Sequence, residues 1–118
     1  MMEDWIEHRR GPDGERLGWM NPVREGFVVI DLLGRERTDV VDWNTAEEFL
    51  DDLGIGYLAD IYELRSAAGE WERVRITEVS TQSIRVKYDD GGAVGGPQTF
   101  FNLSFPISDE LRVHIRRD

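Results

Sequence analysis

The sequence has no cysteine among its 118 residues, which excludes disulfides, a thiolate zinc site and a cysteine nucleophile. Histidine is scarce: His8 and His114 are the two in the chain, so a histidine-rich metal site is excluded as well. Both lie in strand-like, arginine-rich stretches, where edge or surface placement is expected. Lysine is almost missing, since thirteen of the fourteen basic residues are arginine and Lys87 is the exception; a GC-rich coding bias accounts for this without selection for guanidinium chemistry. No apolar run approaches the roughly 20 residues of a membrane span. The opening Met1-Met2-Glu3-Asp4-Trp5 lacks the basic flank and apolar stretch of a secretory signal. A cytoplasmic protein that does not enter membranes is therefore expected.

Hydrophobic residues make up 40% of the chain and charged residues 32%, and the large apolar side chains recur along the whole length, which argues against disorder. One compact domain over 1–118 fits this size. The formal net charge of -10 opposes attraction to a phosphate backbone or an anionic membrane, so nucleic acid is not the expected partner. The acidity is uneven. Residues 1–69 hold 16 acids and 7 arginines, whereas 70–118 hold 8 acids and 7 basic residues.

Residues 5–10, a turn at Gly11-Pro12-Asp13-Gly14, an apolar segment around Leu17, Trp19 and Met20, a second turn at Asn21-Pro22, and the β-branched run 27–33 read as a three-stranded meander. A short fourth strand is expected over 38–41. The period then changes: Ala46, Phe49, Leu50 and Leu53 recur at i, i+3, i+4 and i+7, which predicts a helix near 45–53 that ends at Gly54. Thr45 with Glu48, or Asn44 with Glu47, has capping-box spacing. Beyond the helix, 58–65 reads as extended. Residues 71–78 alternate, Glu72, Val74 and Ile76 against Trp71, Arg73 and Arg75, and 84–88 alternate again. A glycine-rich loop over 91–96 precedes two more strands, over 99–103 and 111–115. The fold class expected is α+β, predominantly β, with about seven or eight short strands in two antiparallel meanders and one helix. A displacement of 57 residues lays Trp5 on Tyr62, Leu17 on Val74, Phe27 on Ile84 and Val29 on Val86, which suggests pseudo-repeat halves 1–57 and 58–118.

The run Trp71-Glu72-Arg73-Val74-Arg75-Ile76, a short turn, Ile84-Arg85-Val86-Lys87-Tyr88-Asp89-Asp90-Gly91 and then Phe100-Phe101 resembles the strand rhythm of SH3-like and Tudor-like small barrels. The resemblance implies a recognition module that binds peptides, modified side chains or nucleic acid on one barrel face. Their proline-binding and methyl-lysine-cage motifs have no counterpart residues here. The whole chain also resembles a group of short acidic bacterial proteins, a likeness that brings no function with it.

Two surfaces stand out. Glu47, Glu48, Asp51 and Asp52 fall on the helix arc opposite its apolar stripe, with no lysine or arginine between Thr45 and Leu53 to pair with them. Such a face suits a basic partner; helix-bound carboxylates without loop carbonyls suit a metal ion poorly. Arg73 and Arg75 share one strand face, and Arg85 and Lys87 share another. A register that puts all four on one side of the sheet makes a basic strip for an acidic peptide or a nucleic-acid strand, with Trp71 as a stacking surface. Trp5, Trp19, Trp43 and Trp71 otherwise read as core residues of a small β protein.

The glycine-rich segment lacks a P-loop ending, and neither Ser104 nor Ser108 has a nucleophile-elbow context. No cofactor is implied. The leading function is a non-enzymatic binding or adaptor protein for a protein partner. An acidic inhibitor or immunity-type protein that masks a basic enzyme site is the alternative. An enzyme using Asp31, Asp60, Asp89 or Asp90 comes third, and exposed edge strands make a homodimer feasible.

Overall fold

The computed structural model describes residues 4–89 and 99–114. The chain divides into two compact units, Met1–Tyr57 and Leu58–Asp118, and is predominantly β with one α-helix.

In the first unit, β1 (Ile6–Arg9), β2 (Arg16–Val23) and β3 (Gly26–Ile30) form an antiparallel sheet in the order β1-β2-β3. The turn between β1 and β2 closes on Arg10, whose guanidinium grips both oxygens of Asp13 at 3.1 and 2.8 Å. That grip, with the Glu15 N–H, lowers the Asp13 carboxyl to about 2. Asn21 and Pro22 do not turn the chain: they continue β2 opposite Val28 and Phe27. Phe27 spends its own N–H and C=O on Val41, so Pro22 opposite it directs its nitrogen away from β3. On that other side β1 has already ended its pairing at Met20, and the missing N–H interrupts no ladder.

The run 27–33 is likewise cut short, at Ile30, because Asp31 folds the backbone around its side chain. This fully buried carboxylate accepts from the Leu33 and Arg35 N–H groups at 2.9 and 3.0 Å, from Arg35 Nε at 2.8 Å and from Arg37 Nη1 at 3.0 Å. Both guanidiniums lie over the Tyr57 ring, at 5.9 and 5.8 Å. The Tyr57 hydroxyl accepts from Leu32 N–H at 2.9 Å. The stretch 38–41, expected as a fourth strand, makes only the isolated bridge of Val41 to Phe27, and a second bridge joins Ile30 to Glu36 just before it.

The helix α1 spans Trp43–Leu53. Its N-cap is Asp42, which accepts from Thr45 N–H at 2.7 Å, rather than Asn44 or Thr45. The short carboxylate just upstream reaches an orphan donor before either expected cap can. Gly54, at φ 60°, ends the helix as its sequence position indicates. Ala46 and Leu50 are fully buried and pack with Leu17, Met20 and Val29, and Phe27, Val41, Phe49 and Ile55 close around them. Gly18 permits this packing. At φ 151° a Cβ there would overlap the Ile30 carbonyl oxygen and sit 2.9 Å from Leu50 Cδ2. Trp19 is buried and lies 5.6 Å from Trp5, whereas Trp43 is 39% exposed and meets Phe27 edge-on.

In the second unit, β4 (Ile61–Arg65), β5 (Trp71–Val79), β6 (Ser83–Tyr88), β7 (Phe100–Ser104) and β8 (Leu111–Val113) form an antiparallel sheet in the order β7-β6-β5-β4-β8. Residues 58 and 59 belong to a 3-10 turn over Gly56–Ala59, so the extended segment begins later than its composition suggests. The β5–β6 connection is held by Ser80 Oγ, which accepts from Gln82 and Ser83 N–H. Tyr62, Val74, Ile84 and Val86 are fully buried on one face, joined by Leu64 and Leu111. The glycine-rich loop 91–96 and Asp90 lie outside the described residues.

The displacement of 57 residues carries the β2–β3 pairing onto β5–β6 only beside the connection, where Asn21 opposite Val28 maps onto Glu78 opposite Arg85; past the bulge Trp19 opposite Ile30 would require Ile76 opposite Lys87, but Ile76 faces Val86. It fails for the preceding strand as well. Glu7 opposite Trp19 would require Leu64 opposite Ile76, but Leu64 pairs with Glu72.

Gly18→Ala is expected to lower unfolding stability by at least about 2 kcal/mol, combining backbone strain with overpacking against Leu50. A urea denaturation midpoint indistinguishable from wild type would contradict this role for Gly18.

Candidate functional site

The alternation of β5 and β6 decides which side chains share a face, and the register then decides whether the two strands agree. Val74 stands opposite Tyr88, Arg75 opposite Lys87 and Ile76 opposite Val86. Arg73 and Arg75 therefore lie on the same side of the sheet as Lys87 and, two residues back, Arg85. The basic strip is one face. Trp71 belongs to it by the same parity. A bulge between Ile76 and Glu78 restores phase so that Glu78 faces Arg85.

Neighbouring strands extend the face. On β4, Glu63 is opposite Arg73 and Arg65 is opposite Trp71; on β8, Arg112 is opposite Glu63; on β7, Phe100 is opposite Lys87 and Asn102 opposite Arg85. Arg65, Arg73, Arg75 and Arg112 are exposed, and Arg85, Lys87 and Trp71 are half-buried.

The cations are held in two ways. Arg112 lies 3.7 Å from the Trp71 ring centre and Arg65 5.6 Å from it, while Arg85 lies 4.3 Å from that of Phe100. Arg85 Nε is buried in this position with no hydrogen-bond partner among the described residues. Ion pairs take others: Arg75 Nε with Asp89 at 3.5 Å and Arg65 Nη2 with Asp109 at 3.4 Å. Arg73 and Lys87 form no ion pair among the described residues. The reason at Arg73 is geometric. Glu63, its cross-strand neighbour, gives Oε1 to Arg112 Nε at 2.7 Å and Oε2 to His114 Nδ1 at 2.8 Å. The His114 and Arg112 hydrogen bonds lower the Glu63 carboxyl below its ordinary value. Because a carboxylate accepts, Nδ1 of His114 carries the hydrogen and the ring is held in one orientation.

At the His114 end the face opens into a depression of about 540 Å³ lined, among the described residues, by Asp60, Ile61, Arg73, Val113 and His114. The opposite side of the sheet carries a different pair: Glu72 raises the Tyr88 hydroxyl through a hydrogen bond, and Tyr88 meets Phe101 edge-on at 5.1 Å.

The acidic helix face is not wholly free. His8 of β1 reaches across to α1, placing Nε2 2.9 Å from Asp51 Oδ1 and Nδ1 3.9 Å from Glu47 Oε2, with its side chain only 13% exposed. Glu47 and Asp51 thus serve the packing of the first unit. Glu48 and Asp52 remain exposed on α1, without an ion pair among the described residues. The carboxylates weighed for acid–base chemistry have separate settings: Asp31 is saturated by its four donors, Asp60 lines the depression and Asp89 faces Arg75. Among the described residues no group of three or more histidine, aspartate or glutamate side chains could hold a metal ion.

Composition gave no hint of Glu63, Arg112, His114, Arg65 and Phe100 as parts of the face. Their parity within 61–65 and 111–113 is readable, but their place depends on β8 returning beside β4, which no local pattern specifies. The chain matches no family model, no curated protein and no solved structure.

The Glu63 contacts carry a pH signature. A carboxyl held lower in the fold than in the unfolded chain, where it titrates near 4.3, stabilises the fold above that value and loses the contribution as pH falls through the folded value. Glu63→Gln is expected to cost about 1 kcal/mol at pH 7, with the gap to wild type closing below about pH 4. A gap that is unchanged or widens on acidification, measured by denaturant melts across pH, would contradict these contacts.

Proposed function

We propose that the protein is a non-enzymatic binding module whose second unit takes an acidic segment of a protein partner on the cationic face of its sheet. The observation that carries this reading is the register that sets Arg73, Arg75, Arg85 and Lys87 on one side, two of them without a counter-ion among the described residues. A net charge of -10 does not forbid an acidic ligand. At physiological ionic strength charges beyond about 8 Å are screened, so the local array governs the encounter. Guanidinium forks match carboxylates bidentately, and those stacked on Trp71 and Phe100 are already fixed in direction.

A nucleic-acid strand is less favoured on the same face. Its binding rests on base stacking and on release of counter-ions by many cations. Here the two aromatic rings are occupied by guanidiniums, and the protein as a whole repels phosphate. The strand order, a four-strand meander whose fifth strand returns beside the first, resembles that of SH3-like small barrels and supports a recognition role. The inhibitor alternative, which uses Glu47, Glu48, Asp51 and Asp52, has less support because His8 engages two of the four.

The test is titration of the full chain with a fluorescent glutamate-rich decapeptide. Binding is expected to weaken tenfold or more in Arg73→Glu/Lys87→Glu, and again when salt is raised from about 50 to 500 mM. Reversal of Glu47, Glu48, Asp51 and Asp52 to lysine should not weaken it. Affinity insensitive to the sheet reversal would refute the proposal.

A further inference from the structure

The geometry points to a subsite for a polypeptide's terminal carboxylate in the depression at the His114 end of the cationic face, which rests on the reading that this face takes an acidic segment. The depression, about 540 Å³, lies in the range of clefts that hold small ligand groups, roughly 300–1,000 Å³. Its lining combines three chemistries. Arg73 supplies a cation, Asp60 an anion and Ile61 an apolar surface beside the His114 ring, while Val113 borders the space from the strand position opposite Tyr62.

Two features separate this place from the rest of the face. Arg73 would ordinarily be neutralised by Glu63 directly opposite, but both Glu63 oxygens are turned to β8, one to Arg112 and one to His114. Arg73 lines the depression, and its guanidinium forms no ion pair or hydrogen bond among the described residues. Asp60 lines the same depression and forms no ion pair with Arg73 or with any other described residue, so opposite charges border one space without closing on each other.

A ligand that satisfies all three linings carries a carboxylate, an apolar side chain and an N–H donor within one residue's length. The last residue of a polypeptide does so. Its carboxylate pairs with the Arg73 fork, its side chain covers Ile61, and its amide N–H is available to Asp60. An acidic side chain within a chain offers the carboxylate without the adjoining apolar group, and it belongs on the open part of the face at Arg75, Arg85 and Lys87. Capture of a chain end beside a strand is an established mode of peptide recognition.

The experiment uses the full chain and two labelled glutamate-rich decapeptides ending in leucine. One has a free carboxylate; the other is amidated and carries one extra glutamate at its far end, so the net charges match. The free end is expected to bind about tenfold or more tightly, in keeping with loss of a charged hydrogen-bonded pair. Arg73→Gln should abolish the difference between the peptides, whereas Lys87→Gln should weaken both alike and preserve it. Equal binding of the two peptides by wild type would overturn the subsite while leaving the face as the binding surface. Failure of both peptides to bind would overturn the reading of the face itself. Full competition by free leucine at concentrations near the peptide's own Kd would assign the depression to a free amino acid and overturn the chain-end proposal.

Discussion

Glu63 lies on β4 between Arg73 of β5 and Arg112 of β8, and its two carboxylate oxygens cannot serve both neighbours and His114 as well. They go to Arg112 and His114. This choice fastens β8 to the sheet and, by the same act, leaves Arg73 without an ion pair among the described residues. The contrast with Asp31 is instructive. That carboxylate is also met by two arginines, but Arg35 and Arg37 come from its own turn, their charge is consumed locally, and Tyr57 covers them. In the first unit an acid closes a turn and leaves nothing over. In the second an acid ties two strands and releases a cation to the surface.

The distribution of opposite charge follows a similar logic. The helix presents carboxylates because its apolar stripe is narrow and the remaining arc must be polar, and β1 answers with His8. The sheet presents guanidiniums because period-2 alternation, once Val74 and Val86 are buried, forces Arg73, Arg75, Arg85 and Lys87 to the other side. A one-residue slip of β6 against β5 would turn Arg85 and Lys87 toward the core and expose Val86. The hydrophobic pattern therefore specifies the cationic face as firmly as it specifies the core.

Local periodicity made much of this legible. The helix, its glycine stop, the alternation in 71–76 and 84–88 and the two antiparallel meanders all follow from residue spacing. What spacing missed depends on contacts distant in sequence or on competition between neighbours. Asn21-Pro22 has turn chemistry, but it continues a strand because β1 is too short to pair beside it. Asp42 outcompetes Asn44 and Thr45 for the helix cap by standing two and three residues earlier. Asp31 stops a β-branched run that composition would carry to Leu33. The meeting of Glu63 with Arg112 and His114 joins residues about fifty positions apart, and nothing in either segment announces it.

The most direct measurement is chemical-shift mapping of the 15N-labelled chain as an acidic peptide is added, following backbone amides, the tryptophan indoles and the arginine Nε–H groups. Saturable changes are expected at Trp71, Arg73, Arg75, Arg85 and Lys87, with residues along Trp43–Leu53 unmoved. Changes confined to the helix and its His8 contact, with the sheet face silent, would contradict the assignment of the cationic face as the binding surface.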